Sequence, residues 1–163
     1  MGRSIDTIVA DRPQKEKLVW EAREWVMFCA KTIEAQMPGF WRDIFSSAQK
    51  LVDDYRSASN DARLQEKLTF EKLLPNGLRA VKSTVPAVII RANPDYGSHT
   101  IEYAVTRISH RDATPVETTG RLRIVLDDAG ELCVRTDNQL LGTPQLVAEL
   151  ILRPLLRALS EAQ

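Results

Sequence analysis

The chain has 163 residues, of which 44% are hydrophobic, and it carries 22 basic and 22 acidic side chains. These values argue against a disordered chain and suit one globular domain that builds its core without disulfides or metals. The charges also balance locally, because Met1–Leu78 holds twelve of each sign and the remaining residues hold ten of each. Without a basic surplus to neutralise phosphates, nucleic acid is not an expected partner.

The cysteines and the N-terminus bear on where the protein works. Cys29 and Cys133 are far apart and belong to no metal-binding or redox motif, so we expect two reduced thiols. Residues 1–12 carry charges where a secretion signal has an apolar core. The longest uncharged run, 138–148, is about half of the ~20 residues that a membrane helix needs. These features predict a cytoplasmic protein without a membrane segment.

The first half of the chain reads as helical. We expect residues 1–12 to form a flexible tail and 13–163 to form a single domain, with a helical part at 13–75. A first helix begins at Pro13, repeats apolar residues at spacings of three and four, and is predicted to break at Pro38-Gly39.

Two more helices are predicted before the pattern changes. The second has an amphipathic face from Trp41 to Tyr55. The third carries Leu64, Leu68 and Leu73 on one side, and Pro75-Asn76-Gly77 is expected to end it.

The apolar period then falls from 3.6 to 2, which is typical of strands, and the sheet part is predicted at 79–137. Pro86 lies inside the first predicted strand, 79–92, which should therefore be an edge strand or bulged. The other strands are predicted at Thr100–Ser109, Val116–Leu126 and Leu132–Asp137. Short loops between them favour a four-stranded antiparallel meander.

The turn between the last two strands predicts their register. Asp128-Ala129-Gly130 suits a type I turn followed by a glycine bulge. This register puts three residue pairs on the core side of the sheet: Leu126 with Leu132, Ile124 with Val134, and Leu122 with Thr136.

A closing helix is predicted at 143–161. Thr143 is its N-cap, Pro144 its first residue, and Pro154 should kink it. The predicted fold class is α+β, with about three N-terminal helices, the meander, and this long C-terminal helix packed on the sheet.

The outer face of the sheet carries the first candidate site. The same register sets Arg123 opposite Arg135 and Arg121 opposite Asp137, and like charges that face each other are unfavourable. Glu102 or Glu117 would neutralise them within the sheet. Alternatively, Arg121, Arg123 and Arg135, with Glu102, form a binding patch for an acidic protein or a carboxylate ligand.

The second candidate site is apolar. The first and last helices are apolar on more than one side, which argues for a homo-oligomer interface or an apolar ligand cavity. Residues Trp20, Trp25, Tyr103 and Leu150 are expected to line that interface or pocket.

No catalytic or metal-binding constellation stands out. His99 and His110 are the only histidines, and no spacing of Cys, His, Asp and Glu suggests a metal site or a cofactor. If a histidine is functional, His110 with Asp112 is the better acid–base pair.

Three functions follow in order of preference. The first is a non-catalytic intracellular interaction domain that self-associates through its helices. The second is a small-molecule binding protein with a pocket for an apolar or carboxylate ligand between the sheet and the C-terminal helix. The third is an enzyme without a recognisable motif.

Overall fold

The computed structural model describes residues 5–58 and 67–161, with side chains described at 16–58 and 67–160. This part of the chain has an α+β architecture. Its elements are α1 (Ile5–Ala58), β1 (Leu68–Leu73), β2 (Gly77–Lys82), β3 (Ala87–Asp95), β4 (Thr100–Ile108), β5 (Val116–Leu126), β6 (Leu132–Arg135), β7 (Leu140–Leu141) and α2 (Pro144–Glu161). The strands join in chain order into one antiparallel sheet.

Helix α1 continues for 54 residues, or about 80 Å at 1.5 Å per residue. The predicted break at Pro38-Gly39 is therefore wrong, and the first two predicted helices are one. A proline inside a helix costs roughly 3 kcal/mol because it removes a backbone hydrogen bond. Met37, Phe40 and Trp41, which flank Pro38-Gly39, are buried. Their packing offsets the cost, since burying one large apolar side chain contributes about 2 kcal/mol.

The helical prediction differs from the structure at both of its ends. Helix α1 begins at Ile5, within the segment 1–12 that was predicted to be a flexible tail. The third predicted helix is wrong where the chain is described, because Leu68–Leu73 forms strand β1. Residues 59–66, with Leu64 among them, lie outside the described residues. The leucine spacing suits a helix, but pairing with β2 imposes the period of a strand.

The predicted strand 79–92 is two strands, β2 and β3, joined by the turn 83–86. Pro86 lies in this turn, so the expectation of an edge or bulged strand around it is wrong. The apolar pattern continues through Val81 before the turn and Val88 after it, so the sequence pattern does not reveal the turn. With β1 and the short β7 added, the sheet has seven strands instead of four.

The hairpin of β5 and β6 has the predicted register. Gly130 has a φ of +79°, and its N–H donates to the Asp127 carbonyl at 3.0 Å. The described ladder pairs Leu126 with Leu132, Ile124 with Val134, and Arg123 with Arg135. It ends at the arginine pair, so the expected apposition of Leu122 and Thr136 lies beyond the last paired residues.

Helix α2 begins as predicted, and it covers the sheet. The Thr143 hydroxyl accepts a hydrogen bond from the Leu146 N–H at 3.2 Å, which satisfies one of the free donors of the first turn. The helix packs on the sheet and against α1. Ile90, Leu152 and Leu155 are fully buried and occupy the space between sheet and helix.

Among the residues that the structure describes, Lys82 is a buried cation. Lys82 is 1% exposed, and its Nζ donates to the carbonyls of Thr84 and Pro86 at 3.0 and 2.7 Å. These bonds close the turn between β2 and β3. Burial lowers the pKa of Lys82, because the ammonium loses hydration that two carbonyls replace only in part.

We expect the Lys82→Met variant to show what this burial costs. The pKa of Lys82 is lower in the folded than in the unfolded chain, so the unfolded chain binds more protons between the two values. The unfolding free energy of the wild type should therefore rise relative to the variant as the pH increases through that window. Below the window the difference should be constant. Denaturant titrations of both proteins at a series of alkaline pH values measure it, and a pH-independent difference would contradict the prediction.

Candidate functional site

The outer face of the sheet, opposite the helices, carries five arginines. Pairing sets Arg123 opposite Arg135, as predicted, and also Arg79 opposite Arg91. The second pair was missed because β2 and β3 were taken as one strand, which cannot pair with itself. The turn at 83–86 was the signal that could have revealed it. Two facing pairs of like charge each cost a few tenths of a kcal/mol unless other groups neutralise them.

Only part of this positive charge is neutralised within the sheet. An Arg79 Nη1 lies 2.7 Å from Glu71 Oε1, and an Arg121 Nη2 lies 2.8 Å from Glu102 Oε1. Both ion pairs are solvent-exposed, so each contributes at most about 1 kcal/mol.

The other three arginines of the outer face are not neutralised by an acid of the described residues. Among the described residues, Arg91, Arg123 and Arg135 form no ion pair. Glu102, the first of the two expected neutralising residues, binds Arg121 instead, and Glu117 faces Thr106 on β4. The structure therefore brings Arg121 and Glu102 together and leaves Arg123 and Arg135 facing each other.

A groove of about 520 Å³ crosses this face over β3, β4 and β5. We call it the sheet groove. Its lining residues are Arg91, Asn93, Glu102, Tyr103, Ala104, Thr119, Gly120 and Arg121. Pairing aligns Arg91 with Ala104 and Thr119, and it aligns Asn93 with Glu102 and Arg121.

Ala104 keeps the floor of the sheet groove low, because its side chain is only a methyl group. Gly120 lies opposite Tyr103 on the core face of the sheet, where a Cβ would collide with the Tyr103 ring. The tyrosine packs against the core, so it takes the place of a side chain at position 120. The walls of the groove are polar or charged and its floor is not.

Asp95, two residues after Asn93 on β3, forms its hydrogen bonds within a turn. Asp95 Oδ1 accepts hydrogen bonds from the Gly97 and Ser98 N–H groups at 3.1 and 3.2 Å. Hydrogen bonds from Ser98 hold the pKa of Asp95 below its usual range, with a smaller contribution from the charge of Arg121. The carboxylate is therefore ionised at neutral pH and stabilises the turn between β3 and β4.

The second candidate surface is on α1, where every residue from 16 to 28 is exposed. We call this stretch the exposed segment. Seven of its large apolar side chains are between 53% and 65% exposed: Leu18, Val19, Trp20, Trp25, Val26, Met27 and Phe28. The Trp25 and Phe28 rings stack on each other, with their centroids 5.8 Å apart.

The exposed segment continues the face of α1 that packs the core. Apolar residues recur along the helix at spacings of three, four and four, which is an eleven-residue repeat close to the period of a straight helix. The strip reads Val19, Ala22, Val26, Ala30, Ile33, Met37, Trp41, Ile44, Ala48, Val52 and Tyr55. From Ile33 to Val52 it is buried, whereas Val19, Ala22 and Val26 are exposed. The repeat was missed because it crosses the predicted break at Pro38-Gly39.

The four residues predicted to line one pocket or interface lie on three different parts of the structure. Trp20 and Trp25 belong to the exposed segment, and Trp20 lines a shallow groove there with Val19. Tyr103 lines the sheet groove, and Leu150 on α2 packs against the core.

A smaller groove, of about 250 Å³, lies where α1 meets the turn between β1 and β2. Trp41, Phe45 and Tyr96 line it, and the Trp41 Nε1–H donates to the Asn76 carbonyl. Burial raises the pKa of Tyr96. This groove is small and its tryptophan donor is already engaged, which disfavours ligand binding there.

The two histidines lie in separate turns and loops. His99 takes a φ of +56° in the turn before β4, and His110 and Asp112 are both exposed in the next loop. Within residues 5–58 and 67–161, no three His, Cys, Asp or Glu side chains are close enough to hold a metal ion. In the same ranges, no helix is long and apolar enough to cross a membrane. Comparisons with models of known protein families, with curated proteins and with solved structures find no match to this chain.

We expect the double variant Arg123→Gln and Arg135→Gln to fold normally. Removing two facing like charges relieves a repulsion of a few tenths of a kcal/mol, and no ion pair among the described residues is lost. Thermal denaturation should give a melting temperature equal to or slightly above that of the wild type. A marked fall would show that these arginines hold the sheet together.

Proposed function

We propose that the protein is an interaction domain that self-associates through the exposed segment of α1. The supporting observation is the apolar strip, which is buried from Ile33 onwards and exposed before it. Exposed apolar surface of this size on a folded chain marks an interaction site. The partner we propose is the same segment of a second copy.

The shape of the segment suits another helix. The strip itself is made of small side chains, since Val19, Ala22, Val26 and Ala30 follow one another along it. At 100° per residue, Leu18 and Trp25 fall on one side of the strip and Trp20 on the other. Small residues between large ones allow two helix backbones to approach closely while the large side chains close over the flanks.

The area suits a stable pair. At 100° per residue, Phe28 falls on the far side of the helix from the strip. With ordinary side-chain areas, the other six exposed apolar side chains present roughly 700 Å², which is close to what each partner buries in a standard interface. The second part of the strip is covered by α2 and the sheet, and a second chain would cover the first part in the same way.

The charges favour a second protein chain over a lipid surface. Residues 16–31 carry Glu16, Glu21 and Glu24 against Lys17, Arg23 and Lys31, three of each sign. Helices that lie on anionic membranes carry an excess of Lys and Arg on their polar side. Because acidic and basic side chains are equal in number, two copies of the segment carry no net charge that would repel them.

A cytoplasmic location belongs to the same proposal. Cys29 and Cys133 are free thiols in the structure. Free thiols suit a compartment that keeps cysteines reduced.

Val26→Glu should separate the copies. The variant places a carboxylate in the centre of the strip, and burying an unpaired charge costs at least about 3 kcal/mol, or roughly a hundredfold in dissociation constant. Sedimentation equilibrium of the full chain over a wide concentration range should show dimer for the wild type and monomer for the variant.

Val116→Glu is the matched control. Val116 lies on β5 and is 61% exposed, against 65% for Val26, so both variants add one charge at an exposed valine. The control should associate like the wild type. A wild type that is monomeric at every concentration would refute the proposal. Binding of that monomer to phosphatidylcholine vesicles, or to vesicles that contain phosphatidylserine, would then identify a lipid surface as the partner instead.

A further inference from the structure

The sheet groove lies between two arginine pairs whose positive charge the fold neutralises only in part, since Glu71 binds Arg79 but no other member of the two pairs forms an ion pair with a described residue. Arg91, which faces Arg79 across β2 and β3, forms one wall. Beyond the opposite wall, past Arg121, Arg123 faces Arg135 across β5 and β6. The unneutralised charge opposes folding, and an anion bound at Arg91 would reduce that cost.

We propose that the sheet groove binds an oxyanion, a carboxylate or phosphate group, carried by a small organic ligand. The anion would lie over Ala104, where the side chain is small. Arg91 would bind it through its guanidinium, which offers donors in the geometry that carboxylates and phosphates require.

The other groups that line the groove fit the same ligand. The Thr119 hydroxyl lies two strands from Arg91 in the same row, roughly 10 Å away at ordinary strand spacing. An extended arginine side chain reaches across most of this width, so both groups can bind one anion. Asn93, in the next row, adds an amide donor.

Glu102 limits what the groove accepts. Its Oε1 accepts a hydrogen bond from Arg121, so the second wall has no net charge. The groove therefore offers one strong anion site and not a continuous basic track. This favours a ligand with a single carboxylate or phosphate group over an extended polyanion such as nucleic acid.

The ligand is a small molecule because of the size of the groove. A volume of about 520 Å³ falls within the range of small-molecule sites. Arg91 and Thr119 are both exposed, so the bare anion should bind in the millimolar range.

The test is calorimetric titration of the full chain with two probes, inorganic phosphate and succinate, at constant ionic strength. At least one probe should bind saturably to a single site, and comparison of the two identifies the preferred group. Arg91→Gln should weaken binding by tenfold or more, and Arg91→Lys should restore part of it because the charge returns without the paired donors. If neither probe saturates, the proposal is overturned.

Two further variants separate a built site from diffuse attraction. Ala104→Leu fills the floor without changing charge and should also abolish binding. Arg107→Gln removes a charge from the same strand outside the groove and should leave binding unchanged. If Arg107→Gln weakens binding as much as Arg91→Gln, the attraction is not specific to the groove, and the proposal fails.

The oxyanion site is independent of self-association. Titrating Val26→Glu with the same probes should give the wild-type affinity. Loss of binding in that variant would contradict a site made by one sheet alone. A monomeric wild type that binds the anion would refute self-association and leave the groove proposal intact.

Discussion

Helix α1 presents one apolar strip along its length, but the described part of the chain covers only the second part of that strip. Burial contributes about 25 cal/mol for each Å² of apolar surface removed from water. Between Ile33 and Val52 the sheet and α2 supply that burial. Earlier in the helix the same face meets solvent, so a second chain that covers it would gain energy of the same kind. The fold and the proposed association therefore depend on one feature of one helix.

The sheet separates its two faces by the alternation of strand residues. One face holds the apolar residues beneath α1 and α2, and the other collects the arginines, because successive side chains point to opposite sides. Cross-strand pairing then decides which charges meet. It joins Arg121 to Glu102, yet it sets Arg79 against Arg91 and Arg123 against Arg135. The polar surface is therefore shaped by register as much as by composition.

Features governed by neighbouring residues were predictable from the sequence. The hairpin at Gly130 follows from a turn that only glycine enters without strain, and the start of α2 follows from Thr143 and Pro144. Val116–Leu126 and the Arg123–Arg135 pair were therefore correct.

Features decided by distant contacts were not. The cost of Pro38 inside a helix is local, but the burial of Met37 and Trp41 that offsets it depends on the rest of the fold. The leucines of β1 suit a helix until β2 pairs with them. Because β2 and β3 were predicted as one strand, the pairing of Arg91 with Arg79, and therefore the wall that Arg91 forms in the sheet groove, could not be predicted. Of the predicted binding residues, Arg121 and Glu102 line the groove, but Arg91, on which its proposed chemistry depends, was not among them.

Hydrogen exchange of the backbone amides tests the central claim most directly. Amides in an uncovered helix exchange quickly through local opening, whereas those beneath a packed face are protected. If two copies pack through the strip, protection of residues 16–30 should rise with protein concentration, while protection of α2 stays constant. Equal and rapid exchange of 16–30 at every concentration would show that the strip remains uncovered, and it would contradict the account.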